Sequence, residues 1–232
     1  MATLLRRIIR WYGPVWSAKI ALGRVLSVHP MDWHLRRVSG VIHVGANTGQ
    51  ERDVYASFKL DVLWIEPIPS LFDELCKNII ALPEQRALNY LITDRDGAEY
   101  AFNVANNGGA SSSILELDRH TEIWPEVRFV SKMTLKSVTL DTLLGTENRY
   151  QALVLDTQGT ELLILKGATG LLSTMRYVTV EAADFESYIG CARVDDIVKF
   201  LNGFAFKLVQ KHKFAELPQG GQYFQLLFRK QV

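Results

Sequence analysis

Cysteine is scarce in this chain, which contains only Cys76 and Cys191. Neither belongs to a Cys-x-x-Cys pair or lies beside a histidine, so no zinc site is expected and no disulfide framework can form. Both thiols read as small, buried apolar side chains of a reducing compartment, and the expected location is the cytoplasm. Long apolar runs are missing as well. No stretch approaches the ~18 residues that a membrane span needs. The N-terminus makes a poor signal peptide, because Arg6, Arg7 and Arg10 interrupt its apolar run where a leader would place them ahead of it. Nor does charge of either sign dominate. With 26 basic and 25 acidic residues the net charge is +1, which gives no broad field for nucleic acid. Low-complexity linkers and internal repeats are lacking too, and 232 residues fit one generous α/β domain better than two.

The small asymmetry that exists lies at the start. Residues 1–37 carry seven basic side chains against Asp32 alone. At ~100° per residue, Leu4, Leu5, Ile8, Trp11 and Tyr12 share one face and the three arginines lie opposite. Residues 4–12 thus suit either packing or a dimer contact, or weak contact with an anionic membrane surface from the inner side. Residues 1–38 read as a basic helical arm broken around Gly13-Pro14 and His29-Pro30, and residues 39–232 as the catalytic domain.

From Gly40 onward, strands and helices alternate. Buried parallel strands are predicted at 41–44, 62–65, 87–92, 152–155 and 177–180. Helices are predicted at 49–58, 71–82 with Ser70 as N-cap, 139–144, 161–172 and 195–202. Residues 204–210 and 223–228, separated by Pro and Gly, read as a closing antiparallel hairpin. Residues 114–137 carry no assignable period. The fold class is therefore α/β: a doubly wound, Rossmann-like sheet, mostly parallel, with helices on both faces and an antiparallel edge.

The most informative stretch is Val44-Gly45-Ala46-Asn47-Thr48-Gly49-Gln50, a strand running through a glycine turn into a helix. Glycines there let a ligand approach the backbone, and free N–H groups at a helix start bind polar groups. Glu66-Pro67 closes the second strand 17 residues beyond Gly49. An acid at about that distance accepts hydrogen bonds from the ribose of an adenosine cofactor. A dinucleotide would want Gly-x-Gly-x-x-Gly, and a nucleoside triphosphate a Lys-Ser/Thr. This chain has Ala46-Asn47 and no such lysine. An adenosine cofactor without phosphates fits best, and S-adenosylmethionine is one.

Those residues and several further stretches resemble the FkbM family of S-adenosylmethionine-dependent methyltransferases. The other matches are Ile65-Glu66-Pro67, the polar 106–113 segment with Ser111-Ser112-Ser113, Val138-Thr139-Leu140-Asp141-Thr142-Leu143, Leu155-Asp156-Thr157-Gln158-Gly159-Thr160-Glu161-Leu162, Lys166-Gly167-Ala168 and Val180-Glu181. The resemblance spans roughly residues 40–185. It implies a class I methyltransferase fold with a seven-stranded sheet, and methylation of hydroxyls on sugars or other secondary metabolites. By the same carry-over, His43, Gly45, Ala46, Asn47, Gly49, Gln50, Glu66, Pro67 and Asp156 line the cofactor, with Asp94 near the adenine. Two positions depart from the family pattern: His43 stands where relatives have aspartate, and Thr157-Gln158 where a Val-Glu pair is common.

Methyl transfer needs alignment of acceptor and methyl group, and a hydroxyl acceptor needs its proton removed. Asp156, Glu181 and His43 end strands and are the candidate catalytic groups, with Glu161 one turn from Asp156. Asp156 reads equally as a helix cap, and His43 as a histidine bonded to backbone. Asp156 and Glu181 alone are too few to hold a metal, and none is expected. Asp184, Glu186 and Tyr188 are placed near the acceptor, a small molecule or glycosyl group. The serines at 111–113 close over the site or lie in a solvated loop. N- or carboxyl-methylation, and a non-catalytic cofactor-binding relative acting in an assembly or homo-oligomer, remain open at this point.

Overall fold

The computed structural model describes residues 30–145 and 149–231. The amphipathic face at 4–12 and the break at Gly13-Pro14 lie outside the described residues. The chain divides into two units, the first ending at Trp33 and the second running from His34 to Val232. Residues Pro30–Arg37 form a 3-10 helix with Asp32 in its first turn and His34, Arg36 and Arg37 in its last, the charge order that a helix dipole favours.

The second unit is built on a seven-stranded sheet. Its strands are β1 (Gly40–Val44), β2 (Asp61–Ile65), β3 (Gln85–Leu88), β7 (Ala152–Leu155), β8 (Tyr177–Ala183), β9 (Phe206–Glu216) and β10 (Gln222–Lys230), in the order β3-β2-β1-β7-β8-β10-β9. The first five are parallel, and β10 pairs antiparallel with both β8 and β9. The switch point, where the chain order reverses, lies between β1 and β7, and ligands of open α/β sheets collect beyond the strand ends there. Strands β1, β2, β7 and β8 are short and nearly continuously apolar, because helices cover both faces. Ile42, Leu63, Leu153, Val178 and Leu226 form the middle of the core, each with no exposed surface.

Five helices pack around this sheet: α1 (Arg52–Ser57), α2 (Pro69–Ile79), α4 (Leu140–Leu144), α5 (Glu161–Lys166) and α6 (Val194–Gly203); a short α3 (His120–Ile123) sits in the loop region beyond it. The expected helix at 49–58 starts late, because Asn47 and Gly49 adopt positive φ and hold residues 47–51 in turns. Ser70 does not cap α2. Ile68 occupies the N-cap without a side-chain bond, and Pro69, which needs no N–H partner, opens the helix. The predicted helix over 161–172 ends at Lys166 and resumes as a 3-10 turn at Leu171–Ser173.

The single strand expected at 87–92 is two strands in two sheets. Asn89 breaks it by turning its amide onto the Glu66 and Pro67 carbonyls, at 2.7 and 3.1 Å. Past the break, β4 (Leu91–Ile92) joins β6 (Phe129–Val138) and β5 (Glu99–Ala105) in a three-stranded sheet of order β4-β6-β5. Neither β5 nor β6 is apparent in the sequence, because their outer faces are polar and exposed.

Two motif stretches of the family resemblance explain each other here. The Asp141 carboxylate accepts from the Gly170 and Leu171 N–H groups, both at 2.8 Å. A Cβ at Gly167 would lie 2.3 Å from the Thr93 carbonyl. Both positions serve packing.

Candidate functional site

Register places the predicted site residues in one row. Val44 pairs with Ile65 on one side and Leu155 on the other, Leu155 pairs with Val180, and Ile65 pairs with Leu88. The next residue of each strand therefore lines up across the carboxyl edge: Asn89, Glu66, Gly45, Asp156 and Glu181. Three of these are acids.

The turn after β1 is held by Glu66, which is only 4% exposed. One carboxylate oxygen accepts from Asn47 N–H at 2.7 Å, and the other from Ile68 N–H at 2.9 Å. Each oxygen keeps a second lone pair, which is what a ribose diol requires. Burial raises the Glu66 pKa to about 7 against the pull of those two bonds. Gly45 has φ +84°, and a Cβ on it would sit 1.9 Å from the Asp156 carbonyl oxygen. Gly49, at φ +72°, would place its Cβ 2.7 Å from a Leu75 methyl. These glycines are required by the approach of β7 and α2, before any ligand is considered. Gly45→Ala is expected to lower stability by about 1–3 kcal/mol, read as a drop in Tm of the ligand-free chain. Ala46 is buried, Gln50 is exposed, and Pro67 follows Glu66 on the way to α2.

Beyond β7 the acids gather. Asp156 keeps some surface open to solvent, yet protein surrounds its carboxyl on most sides. Burial raises its pKa, with Glu161, Glu51 and Glu66 adding repulsion. Glu181 is raised further by burial and by Asp156 and Glu161. The two are joined by one amide: Gln158 Nε2 donates to Asp156 Oδ1 at 2.8 Å and reaches Glu181 Oε1 at 3.5 Å. Gln158 does this from φ +58°, a strained conformation for a residue other than glycine. Glu161 takes the capping role considered for Asp156, accepting from Thr157 N–H, the Thr157 hydroxyl and Gly159 N–H at 2.9–3.2 Å. Asp156 is thereby left free of the backbone.

Among the described residues, the groups that set these pKa values are carboxylates and hydrogen-bond donors, with no cation among them. Such a site favours a positively charged ligand. No group of three or more metal-ligating side chains forms among the described residues. A further orphan lies after β4, where the buried Asp94 Oδ1 has no hydrogen-bond partner and only the Arg95 guanidinium at 3.9 Å.

The pH dependence of stability follows from these shifts. Carboxylates with raised pKa bind protons better folded than unfolded, so their contribution falls as pH climbs from the ordinary range through about 7. His43 is held down to about 3 by burial, so folding loses stability as pH drops below its ordinary value. Among the described residues four carboxylates are raised and one histidine is lowered, so the carboxylates outweigh it and the ligand-free Tm should decline from about pH 5.5 to 8. A Tm that climbs from pH 6.5 to 8 would contradict this balance.

His43 points into packing, away from the row of acids. Its Nδ1 lies 3.0 Å from the Tyr55 hydroxyl, and its ring stacks at 4.9 Å on Trp64. Neutral and weakly basic there, it is poorly suited to proton removal. The serines of the 106–113 segment are buried and not solvated: Ser111, Ser112 and Ser113 are 5%, 7% and 1% exposed. Asn47 Nδ2 donates to Gly108 O at 3.0 Å, and Ser113 Oγ to Gln158 O at 2.8 Å, so the segment bridges the turn after β1 and the turn after β7. Tyr188 closes the other side, its hydroxyl shared between Gln158 Oε1 at 2.9 Å and Ser111 O at 3.2 Å. Asp184 is exposed and bonds Gln222 N–H, and Glu186 accepts from Gly190 N–H.

The structure adds His120, Trp124 and Tyr223 behind the serines, with the His120 ring 4.5 Å from Trp124 and 5.1 Å from Tyr188. The first two fall in the stretch without period, and Tyr223 reads in sequence only as a strand residue.

A model of the FkbM methyltransferase domain matches residues 43–208. The chain belongs to that family. As a member of the FkbM family it is a methyltransferase. Among curated proteins, the 2-O-methyltransferase NoeI of Sinorhizobium fredii is 25% identical over 191 residues, covering 78% of this chain and 75% of that one. Among solved structures, the magnesium protoporphyrin IX methyltransferase ChlM of Synechocystis, with bound S-adenosylhomocysteine, superposes with a TM-score of 0.50 at 12% identity, covering 100% of both chains. An N1-methyltransferase of Burkholderia thailandensis gives 0.49 at 11% identity, covering 100% of this chain and 88% of that one. The superposition on ChlM shows the fold, and the FkbM domain has the expected seven-stranded sheet. No helix among the described residues is long and apolar enough to cross a membrane.

Proposed function

We propose that this FkbM methyltransferase transfers the cofactor's methyl group to a hydroxyl of a sugar or another small hydroxylated metabolite. Supporting the choice of oxygen is the likeness to NoeI, a 2-O-methyltransferase. The cofactor half of the site is supported by the registered row: Glu66 receives the ribose through its two remaining lone pairs, and the orphan Asp94 oxygen faces the adenine amine. The uncompensated acids Asp156 and Glu181 take the positive end. The cofactor supplies an activated methyl group, and the chain's part is to orient it, to exclude water and to place the acceptor.

The acceptor side is bounded by the 106–113 segment and by the loop carrying Tyr188. Radiolabelled methyl transfer to a panel of monosaccharides and glycosides tests the reading, beside amine and carboxyl acceptors as controls. Label on a hydroxyl supports it. Label confined to amines or carboxylates overturns the choice of oxygen, and no label with any acceptor favours a cofactor-binding relative without catalysis.

A further inference from the structure

The acids at the strand ends face the cofactor's positive charge, which lowers their basicity toward an acceptor hydroxyl. A better proton path lies on the opposite side of the site. Ser111 is carried by the segment that spans the turns after β1 and β7, and its backbone carbonyl accepts from the Tyr188 hydroxyl, which also bonds Gln158 Oε1, while Gln158 Nε2 donates to Asp156. Its Oγ accepts from Asn107 Nδ2 at 2.9 Å and lies 3.1 Å from His120 Nε2. His120, 3% exposed, has its other nitrogen 2.9 Å from the Tyr223 hydroxyl, and Tyr223 in turn hydrogen-bonds Ser187. A hydroxyl, an imidazole and a phenol thus form one buried chain.

We infer that Ser111, His120 and Tyr223 are a proton relay that takes the acceptor hydroxyl's proton during methyl transfer. This rests on the reading of a hydroxyl acceptor. With His120 protonated on Nδ1, that N–H donates to Tyr223 Oη, and Nε2 is left to accept from Ser111. The acceptor O–H then donates to Ser111 Oγ. As the methyl–sulfur bond breaks and the methyl–oxygen bond forms, the acceptor's proton passes to Ser111 Oγ. The proton of Ser111 passes to His120 Nε2. The products are the methyl ether, S-adenosylhomocysteine and an imidazolium, whose proton returns to solvent after release. Ser111 touches the acceptor, whereas His120 and Tyr223 act through it.

The groups facing His120 suit this work. Tyr188 and Tyr223 are both held neutral by burial, which pushes their pKa values well up, so neither competes for the proton. Glu161 and Glu181 lie behind the two tyrosines and repel negative charge there. On the histidine's own segment, Asp118 precedes an exposed Arg119–Glu122 pair at 2.9 Å. The carboxylates favour the imidazolium once it forms.

Two measurements on the full chain decide the matter. Nitrogen NMR of histidine-labelled protein with S-adenosylhomocysteine, assigned by the signal lost in His120→Gln, should show Nδ1 protonated and Nε2 bare. A protonated Nε2 overturns the relay whatever the acceptor proves to be. With a hydroxyl acceptor found in the panel, Ser111→Ala and His120→Gln should each lower kcat about 10²–10³-fold. The KM of the acceptor and the Kd of S-adenosylhomocysteine should stay within about twofold. The acid limb of the kcat–pH profile should vanish in both, and the double variant should be no worse than either single one. A kcat loss under about fivefold, or a loss matched in cofactor affinity, overturns it. Ser111→Ala removes one oxygen atom and guards against misfolding of His120→Gln. Methylation of amines alone would remove the hydroxyl reading, and the NMR result would still decide whether Nε2 is free to take a proton.

Discussion

Glu66→Ala should weaken S-adenosylmethionine and S-adenosylhomocysteine binding by the same factor, roughly 10–150-fold, equivalent to about 1.5–3 kcal/mol. The equality follows from where Glu66 sits. It follows β2 and meets the part of the cofactor that the two molecules share, on the other side of Gly45 from Asp156 and Glu181. The variant also frees the Asn47 and Ile68 N–H groups that the carboxylate now holds at 2.7 and 2.9 Å. The turn after β1 should loosen, and Tm should fall together with affinity. Glu66→Gln separates the two effects, since its amide oxygen can keep one of the N–H partners while the charge is lost. Calorimetry with both ligands on both variants gives the comparison. An affinity unchanged in Glu66→Ala would remove the ribose assignment, and a loss confined to S-adenosylmethionine would mean that the carboxylate senses the sulfonium instead.

The extent to which this site can be read from sequence depends on how local its determinants are. Gly45, Glu66, Asp156 and Glu181 are legible because each directly follows a short apolar strand, and parallel register then places strand ends side by side. The sheet itself is legible for the same reason, and its terminal hairpin through the Pro and Gly between β9 and β10. Orientation is less accessible. His43 lies inside β1, two residues before the row in register, and packs against Trp64 and Tyr55, which no periodicity announces. The three-stranded sheet was hidden because β5 and β6 bury little and alternate weakly. The relay is hidden most deeply. Ser111, His120 and Tyr223 come from three segments, and His120 lies 103 residues from Tyr223. No local pattern joins them.

Removing a charge from the row should stabilise the chain that it disables. Asp156→Asn keeps the shape of the side chain and an oxygen for Gln158 Nε2, now 2.8 Å from Asp156 Oδ1, and it takes away a carboxylate that Glu161, Glu51, Glu66 and Glu181 all repel. Without ligand, the Tm at pH 8 should hold or rise. Its decline between pH 6.5 and 8 should become shallower, because one of the groups that resists deprotonation is gone. Binding should move the other way. A carboxylate facing a cation contributes about 1.5–3 kcal/mol, so S-adenosylmethionine should bind roughly 10–150-fold more weakly. S-adenosylhomocysteine, whose sulfur is neutral, should lose less. The ratio of the two dissociation constants is the decisive quantity, since a general loosening of the site would leave it unchanged. A stabilised variant with that ratio shifted toward the product would show that the acids are kept at the expense of stability, for the positive charge they receive.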